Sequence, residues 1–228
     1  GAAPFSITGQ PNAMGGREVG GLASTLAAHM DFAADNVDRV RRFWNAPNTA
    51  TAAGLKAVDL FKAVGEGRIK AIWIMATNPA VSMPDAGAVR AALAACPFVV
   101  VSDVMADTDT GRFAHVRLPA LAWGEKDGTV TNSERVISRQ RPFFAAPGEA
   151  RADWRTLADV AGRMGHGEAF GWTTPAEVFD EHCRLTAFEN EGARRLDLTP
   201  LIGLGEAEYA ALQPTRSGED REFADGRF

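Results

Sequence analysis

The sequence predicts an α/β fold, a mainly parallel sheet flanked by helices. Short apolar runs at Lys70–Met75 and Phe98–Val101 are too compact for helices. They are also too uniformly apolar for strands with one wet face, which suits a sheet covered on both sides. Around them apolar residues recur at helical spacing. The order strand, helix, strand implies a right-handed crossover.

The elements follow in turn. Pro4 to Gly21 is rich in Gly, Asn, Gln and Pro and reads as a loop lying against something. Val19–Met30 is expected to form a helix with small residues on one face. Asn36–Trp44 gives a second, with an Asx cap at Asp35 or Asn36. Leu55, Val58, Leu60, Phe61 and Val64 mark a third, stopped by Gly65 and Gly67. Lys70–Met75 is the first strand. Asp85–Cys96 is a helix with Asp85 as N-cap, ended by Pro97. Phe98–Val101 is the second strand and His115–Leu118 the third. Trp123–Arg141 is expected to be loop with short irregular β structure. Arg151–Met164 is a helix with Trp154, Leu157, Val160 and Ala161 on one face. Thr174–Leu185 is another, capped at Thr173 or Thr174 with Pro175 in its first turn. Gly205–Leu212 is a last short helix, and from Thr215 the charged, Gly-containing chain reads as a linker.

Composition narrows the function. Of 228 residues, 46% are hydrophobic and 23% charged, which argues against wholesale disorder. The net charge is −5, whereas non-specific nucleic-acid binding needs clustered positive charge. No apolar run approaches the ~20 residues of a membrane-spanning helix. Cys96 and Cys183 make no disulfide framework and no thiolate-built zinc or iron–sulfur site, and they fit a reducing compartment. The four histidines show no ligand spacing. No Gly-x-Gly-x-x-Gly and no Walker loop follows either strand, so a standard NAD or ATP site is not expected.

In open α/β sheets, ligands bind beyond the carboxyl ends of the strands. The first strand here runs into Thr77-Asn78-Pro79 and the second into Ser102-Asp103, which parallel pairing would set side by side. An ionised Asp only accepts hydrogen bonds, so Asp103 could take a guanine Watson–Crick edge or ribose hydroxyls. Asn78 and Ser102 offer adaptable donors. The competing reading makes them loop and helix caps. Lys126, between Glu125 and Asp127, reads by itself as a solvated lysine. Asp153 reads as a helix-start carboxylate favoured by the dipole. Arg17 could bind an oxyanion or simply pair with Glu18.

The run Pro4-Phe5-Ser6-Ile7-Thr8-Gly9-Gln10-Pro11-Asn12-Ala13-Met14-Gly15-Gly16-Arg17-Glu18-Val19-Gly20 resembles an internal segment of bacterial molybdenum nitrate reductases. These belong to the bis-molybdopterin-guanine-dinucleotide superfamily, with DMSO reductase and formate dehydrogenase. Trp73–Pro79, Val100–Asp103, Leu118-Pro119-Ala120 with Trp123–Arg135, and Ala146–Trp154 match in the same order. The likeness covers nearly the whole chain and is nearest the assimilatory, cytoplasmic branch.

The resemblance implies two-electron reduction of nitrate to nitrite in nitrogen assimilation. It implies Asn78, Ser102, Asp103, Lys126 and Asp153 as contacts of a molybdopterin guanine dinucleotide, and Arg17 on the substrate funnel. Periplasmic relatives carry an extra residue just before the Arg-Glu pair, which leaves the placement of Arg17 open. Gln10 and Asn12 are further candidates for the same cavity. The parent enzyme would hold bis-molybdopterin guanine dinucleotide with molybdenum and a 4Fe-4S cluster, none of which the isolated chain need retain. Cys96 and Cys183 fall outside any block resembling the molybdenum-ligand segment.

On this reading residues 1–214 form an α/β cofactor-binding, Rossmann-like lobe, including a Gly-rich loop at 1–21. Residues 123–147 would pack on an absent domain, and 215–228 would lead toward an absent C-terminal domain. The expected partners are nitrate, the remaining domains of the polypeptide and an electron-donor protein or subunit, with no nucleic acid and no membrane. The fragment alone is expected to be inactive. Rival readings are a formate dehydrogenase or other oxyanion reductase, and a non-catalytic nucleotide-binding module.

Overall fold

A computed structural model describes residues 11–217. In chain order the helices are α1 (Ala13–Glu18), α2 (Ala34–Trp44), α3 (Ala57–Gly65), α4 (Pro79–Ser82), α5 (Ala86–Ala95), α6 (Asp153–Ala161), α7 (Pro175–Ala187) and α8 (Glu206–Ala211). The strands are β1 (Ala71–Met75), β2 (Phe98–Asp103), β3 (Val116–Pro119), β4 (Gly128–Thr131), β5 (Val136–Gln140) and β6 (Thr215–Arg216). The described residues group into two compact units. Unit 1 holds residues 11–54, 127–140 and 171–217, and unit 2 holds 55–126 and 141–170.

Unit 2 carries the predicted parallel sheet, in the order β1-β2-β3. Ala71 pairs with Phe98 and Met75 with Ser102, while Val100 faces Val116 and Asp103 faces Pro119. Val99 and Val101 pack with Ile74, Phe61, Val64, Val89 and Leu93 from β1, α3 and α5 in one apolar core. The helix faces expected from spacing therefore form, although Leu55 and Val58 lie exposed. Asp85 caps α5 as expected, its carboxylate accepting from Ala88 N at 3.1 Å. Helix α6 runs on into a wider π turn at Gly162–His166, where Gly165 takes φ +90°.

Unit 1 departs from the expectations in instructive ways. The helix expected over Val19–Met30 does not form. Helix α1 ends at Glu18 and the chain doubles back, with Ala28 N donating to Glu18 O (2.6 Å) and Leu26 N to Met30 O (2.8 Å). Gly20 has φ +78°, and a Cβ there would lie 2.7 Å from Ala27 N. The small residues let two backbone segments touch and do not line a helix face. We expect Gly20→Ala to cost roughly 2 kcal/mol in urea unfolding. Unchanged stability would show that this close approach is not needed.

The Asx cap of α2 also moves. Ala33 holds the N-cap position, and Asp31 Oδ1 accepts from Ala33 N and Asn36 Nδ2 instead. The segment read as irregular β contains a regular antiparallel ladder, Gly128–Thr131 against Val136–Gln140. Its connection is held by Asn132, whose Oδ1 accepts from Glu134 N and Val136 N. Thr215 and Arg216, read as linker, pair with Ile137 and Val136 as a third strand. The expectations for Pro4–Gln10 and for 218–228 lie outside the described residues. Thr174 caps α7 as expected, through a capping box with Glu177. Both cysteines are free and buried.

Candidate functional site

The carboxyl edge of the parallel sheet in unit 2 borders a cavity of about 330 Å³, lined among others by Thr77, Asn78, Asp103, Thr108, Lys126 and Asp153. The fold explains why these residues meet. Strands β1 and β2 end together, with Ala76 N donating to Ser102 O (3.0 Å). The start of α6 is stapled beside β3: Arg151 N donates to Pro119 O (3.1 Å) and Leu121 N to Arg151 O (3.3 Å). This brings Asp153 to the sheet edge although it lies far along the chain.

Asn78 occupies the N-cap position of α4, yet its side chain makes no cap bond. Its Oδ1 instead accepts from Thr110 Oγ1 (2.7 Å) and Thr110 N (3.1 Å). Thr110 is fully buried, and its hydroxyl also accepts from Ala80 N at 3.1 Å. The carbonyl end of the amide is thus committed to the protein, which leaves the Nδ2 donors as the end available to a ligand. Nothing in the sequence flagged Thr110, because it lies on a separate loop. Asp103 accepts from Met105 N through Oδ1 (3.0 Å).

Lys126 follows a 3-10 turn at Trp123–Glu125 and donates to Asp153 Oδ2 at 2.8 Å. Both side chains are about one-third exposed. An ion pair this open is worth at most about 1 kcal/mol, so an incoming anion can recruit the lysine at small cost. Ser102 does not line this wall. It is 3% exposed, and its hydroxyl accepts from Trp73 Nε1 at 2.8 Å. The alternation of β2 turns Ser102 inward just before Asp103 comes to the cavity.

Arg17 lies in unit 1, on the last turn of α1. It lines a second cavity of about 520 Å³ with Glu18, His29, Arg135, Arg194 and Arg195. The simple Arg17–Glu18 pairing does not form. Glu18 is 3% exposed and accepts from the Thr131 hydroxyl at 2.7 Å. Burial raises its carboxyl above the usual range, and the Thr131 bond and Arg135 only partly oppose this. Burial lowers the imidazole of His29, helped by Arg135 and Arg17. Asn12 is tied to Thr131 N (2.9 Å) and does not line this cavity, and Gln10 lies outside the described residues. Arg135 and the adjacent Arg194 and Arg195 lie far along the chain from Arg17, so no local pattern marks their meeting.

The two cavities differ in chemistry. The first offers an amide, two carboxylates and one ammonium, a mixture that suits a ligand with hydroxyl or N–H donors and one anionic group. The second offers guanidinium forks, which suit oxyanions.

A family model described as molybdopterin oxidoreductase matches residues 6–163. A nitrate reductase of Klebsiella oxytoca is 60% identical over 95% of this chain and 25% of that protein. The alpha subunit of F420-dependent formate dehydrogenase 1 of Methanococcus maripaludis is 36% identical over 79% of this chain and 26% of that protein. The chain therefore spans about a quarter of the length of either relative. Among solved structures, acetylene hydratase from Pelobacter acetylenicus superposes with a TM-score of 0.56 over 73% of this chain and 21% of that one, at 21% identity. That likeness bears on the fold.

Proposed function

The chain belongs to the molybdopterin oxidoreductase family, and from that premise we propose that it is part of the catalytic subunit of a nitrate reductase. The parent enzyme would reduce nitrate to nitrite for nitrogen assimilation in the cytoplasm, fed by an electron-donor protein or subunit. The far greater identity to a nitrate reductase than to a formate dehydrogenase favours nitrate over the rival reading.

Unit 2 is proposed to grip one guanine dinucleotide arm of a molybdopterin cofactor. The observation that carries this is the meeting of Asn78, Asp103, Lys126 and Asp153 around one cavity at the strand ends. Asp103 would accept from a guanine edge or ribose hydroxyls, Asn78 would donate through Nδ2, and Lys126 would leave Asp153 for a diphosphate oxygen. Ser102 would act from behind the wall, holding Trp73 and the end of β2. When bound, the molybdenum cofactor supplies the two-electron, oxygen-atom chemistry, and an iron–sulfur centre elsewhere in the parent would supply electrons. This chain's share is binding and orientation. Arg17 would draw the anion.

The test is guanosine diphosphate binding to the chain, measured by calorimetry. Asp103→Ala and Lys126→Ala should each weaken it about tenfold, the loss of one charge-assisted contact. Binding that survives both substitutions unchanged would overturn the cavity assignment.

Residues 123–147 are proposed to pack on the rest of the parent polypeptide. In support, Phe143 meets Trp123 edge to face and Phe144 at a tilt while each of the three stays more than 60% exposed, a patch that usually marks an interface. Limited proteolysis of the isolated chain should cut first within this segment. Protection there equal to that of β1 and β2 would count against the packing role.

A further inference from the structure

Unit 2 holds another cavity, of about 250 Å³, beside the loop that follows β2. It shares Asp103, Val104, Met105 and Thr108 with the sheet-edge cavity. The loop is therefore a partition with open space on two faces. Beyond it the walls are mainly apolar, with Val101, Leu118 and Pro119 beside Arg117. On the partition itself, Val104 is 53% and Met105 64% exposed. One exposed apolar residue is ordinary. Two in succession, both lining the cavity that Asp103 borders, are placed to be covered by whatever fills it.

The loop is fixed at its ends and lightly held between them. Asp103 is the last residue of β2 and pairs with Pro119. At the other end Thr108 closes a tight turn. Its hydroxyl accepts from Gly111 N (2.9 Å) and its carbonyl from Arg112 N (3.2 Å), while Thr110 is bound to Asn78. Between these ends the holds come from side chains. Asp103 Oδ1 accepts from Met105 N (3.0 Å), Arg117 Nη1 donates to Ala106 O (2.9 Å), and Arg112 Nε donates to Asp107 Oδ1 (3.2 Å). Both members of the Arg112–Asp107 pair are exposed, so water competes for it. A segment with rigid ends, exposed tethers and space on two faces can shift without disturbing the core.

We propose that Val104–Asp107 is a strap that closes over the sheet-edge cavity, with Val104 and Met105 packing on the planar base of a nucleotide bound at Asp103. The proposal rests on the nucleotide reading of unit 2 given above. Asp103 links the ligand to the strap, since the carboxylate that would engage the nucleotide also holds Met105 N. Closure covers two exposed apolar side chains, and the thioether of Met105 suits contact with an aromatic ring. Arg117 sets the resting position of the strap through Ala106 and is a positioning residue.

The experiment follows release of a fluorescent, ribose-labelled guanosine diphosphate from the 228-residue chain by stopped flow. NMR follows the Met105 methyl group. Met105→Ala should speed release about tenfold, from the lost ring contact, with the association rate nearly unchanged. Met105→Leu keeps the apolar bulk and should hold release within about twofold of the parent. Arg117→Met should speed association and release together, because it frees the strap without touching the base. In the parent chain the Met105 methyl resonance should shift as unlabelled guanosine diphosphate is added. This localises the contact even where a variant fails to fold.

Release from Met105→Ala at the parent rate, or a methyl resonance that guanosine diphosphate leaves unmoved, overturns the strap. If Asp103→Ala still weakens binding in that case, the cavity assignment stands without it. Release from Met105→Leu as fast as from the alanine variant also overturns the apolar contact. No binding of guanosine diphosphate to the parent chain overturns the nucleotide reading and the strap with it.

Discussion

Thr110→Val should destabilise the chain by about 3 kcal/mol and weaken guanosine diphosphate binding in the fraction that still folds. The size follows from counting what the hydroxyl does. It donates to Asn78 Oδ1 at 2.7 Å and accepts from Ala80 N at 3.1 Å, and both Thr110 and Ala80 are fully buried. Valine keeps the shape and loses both bonds. Ala80 N is then a buried donor without a partner, which costs about 1–3 kcal/mol, and the lost bond to Asn78 adds about 1 kcal/mol. The functional consequence comes through Asn78. With only Thr110 N left to hold Oδ1, the amide can rotate and its Nδ2 donors are no longer aimed by the protein. Thr110→Ser keeps the hydroxyl and should recover most of the binding, at the cost of a methyl group. Urea unfolding and calorimetric titration of the three proteins check both halves. A valine variant with parent-like stability would mean that a water replaces the hydroxyl. A serine variant as weak in binding as valine would detach Asn78 from the site.

How much of this could be read from the sequence depends on the range of the interaction. Strands β1 and β2 and helix α5 were legible because a short apolar run and an Asp before a helix act locally. The sheet-edge cavity was legible in part. Asp103 ends its strand and Asn78 lies just past its own, so topology alone places them. Lys126 and Asp153 were reached only through family likeness, since their meeting depends on the long-range staple between β3 and Arg151. Ser102 was misplaced by one step of strand alternation, because a strand end gives no sign of which face its last hydroxyl takes. The Val19–Met30 stretch failed for a different reason. Small residues serve a helix interface and a tight backbone crossing equally well. The choice between them is made by Gly20 packing on Ala27, a contact no periodicity encodes. Of the arginine cluster only Arg17 was legible, because charges that converge from separate segments leave no local pattern.

The last expected result concerns acid. His182, on α7, is largely buried, and desolvation pushes its imidazole down to about 4, with a smaller contribution from His29. In the unfolded chain the same group titrates near its ordinary value of 6.5. Between these two values the unfolded chain binds a proton that the folded chain refuses. Stability is therefore fully present above about pH 6.5 and drains away as pH falls toward 4, where the deficit reaches about 3 kcal/mol by linkage. Glu18 runs the other way. Its carboxyl is raised in the fold, so its contribution is present at low pH and is lost as pH rises through its folded value. The two partly offset each other in a raw stability curve, so the effect of His182 must be taken as a difference. Urea unfolding of the parent and of His182→Gln at pH 7.5, 6, 5 and 4 supplies it. The variant cannot take up the proton, so the gap between the two curves should close by about 3 kcal/mol as pH falls, with a slope of one proton. Parallel curves across that range would mean that the imidazole is solvated in the folded chain.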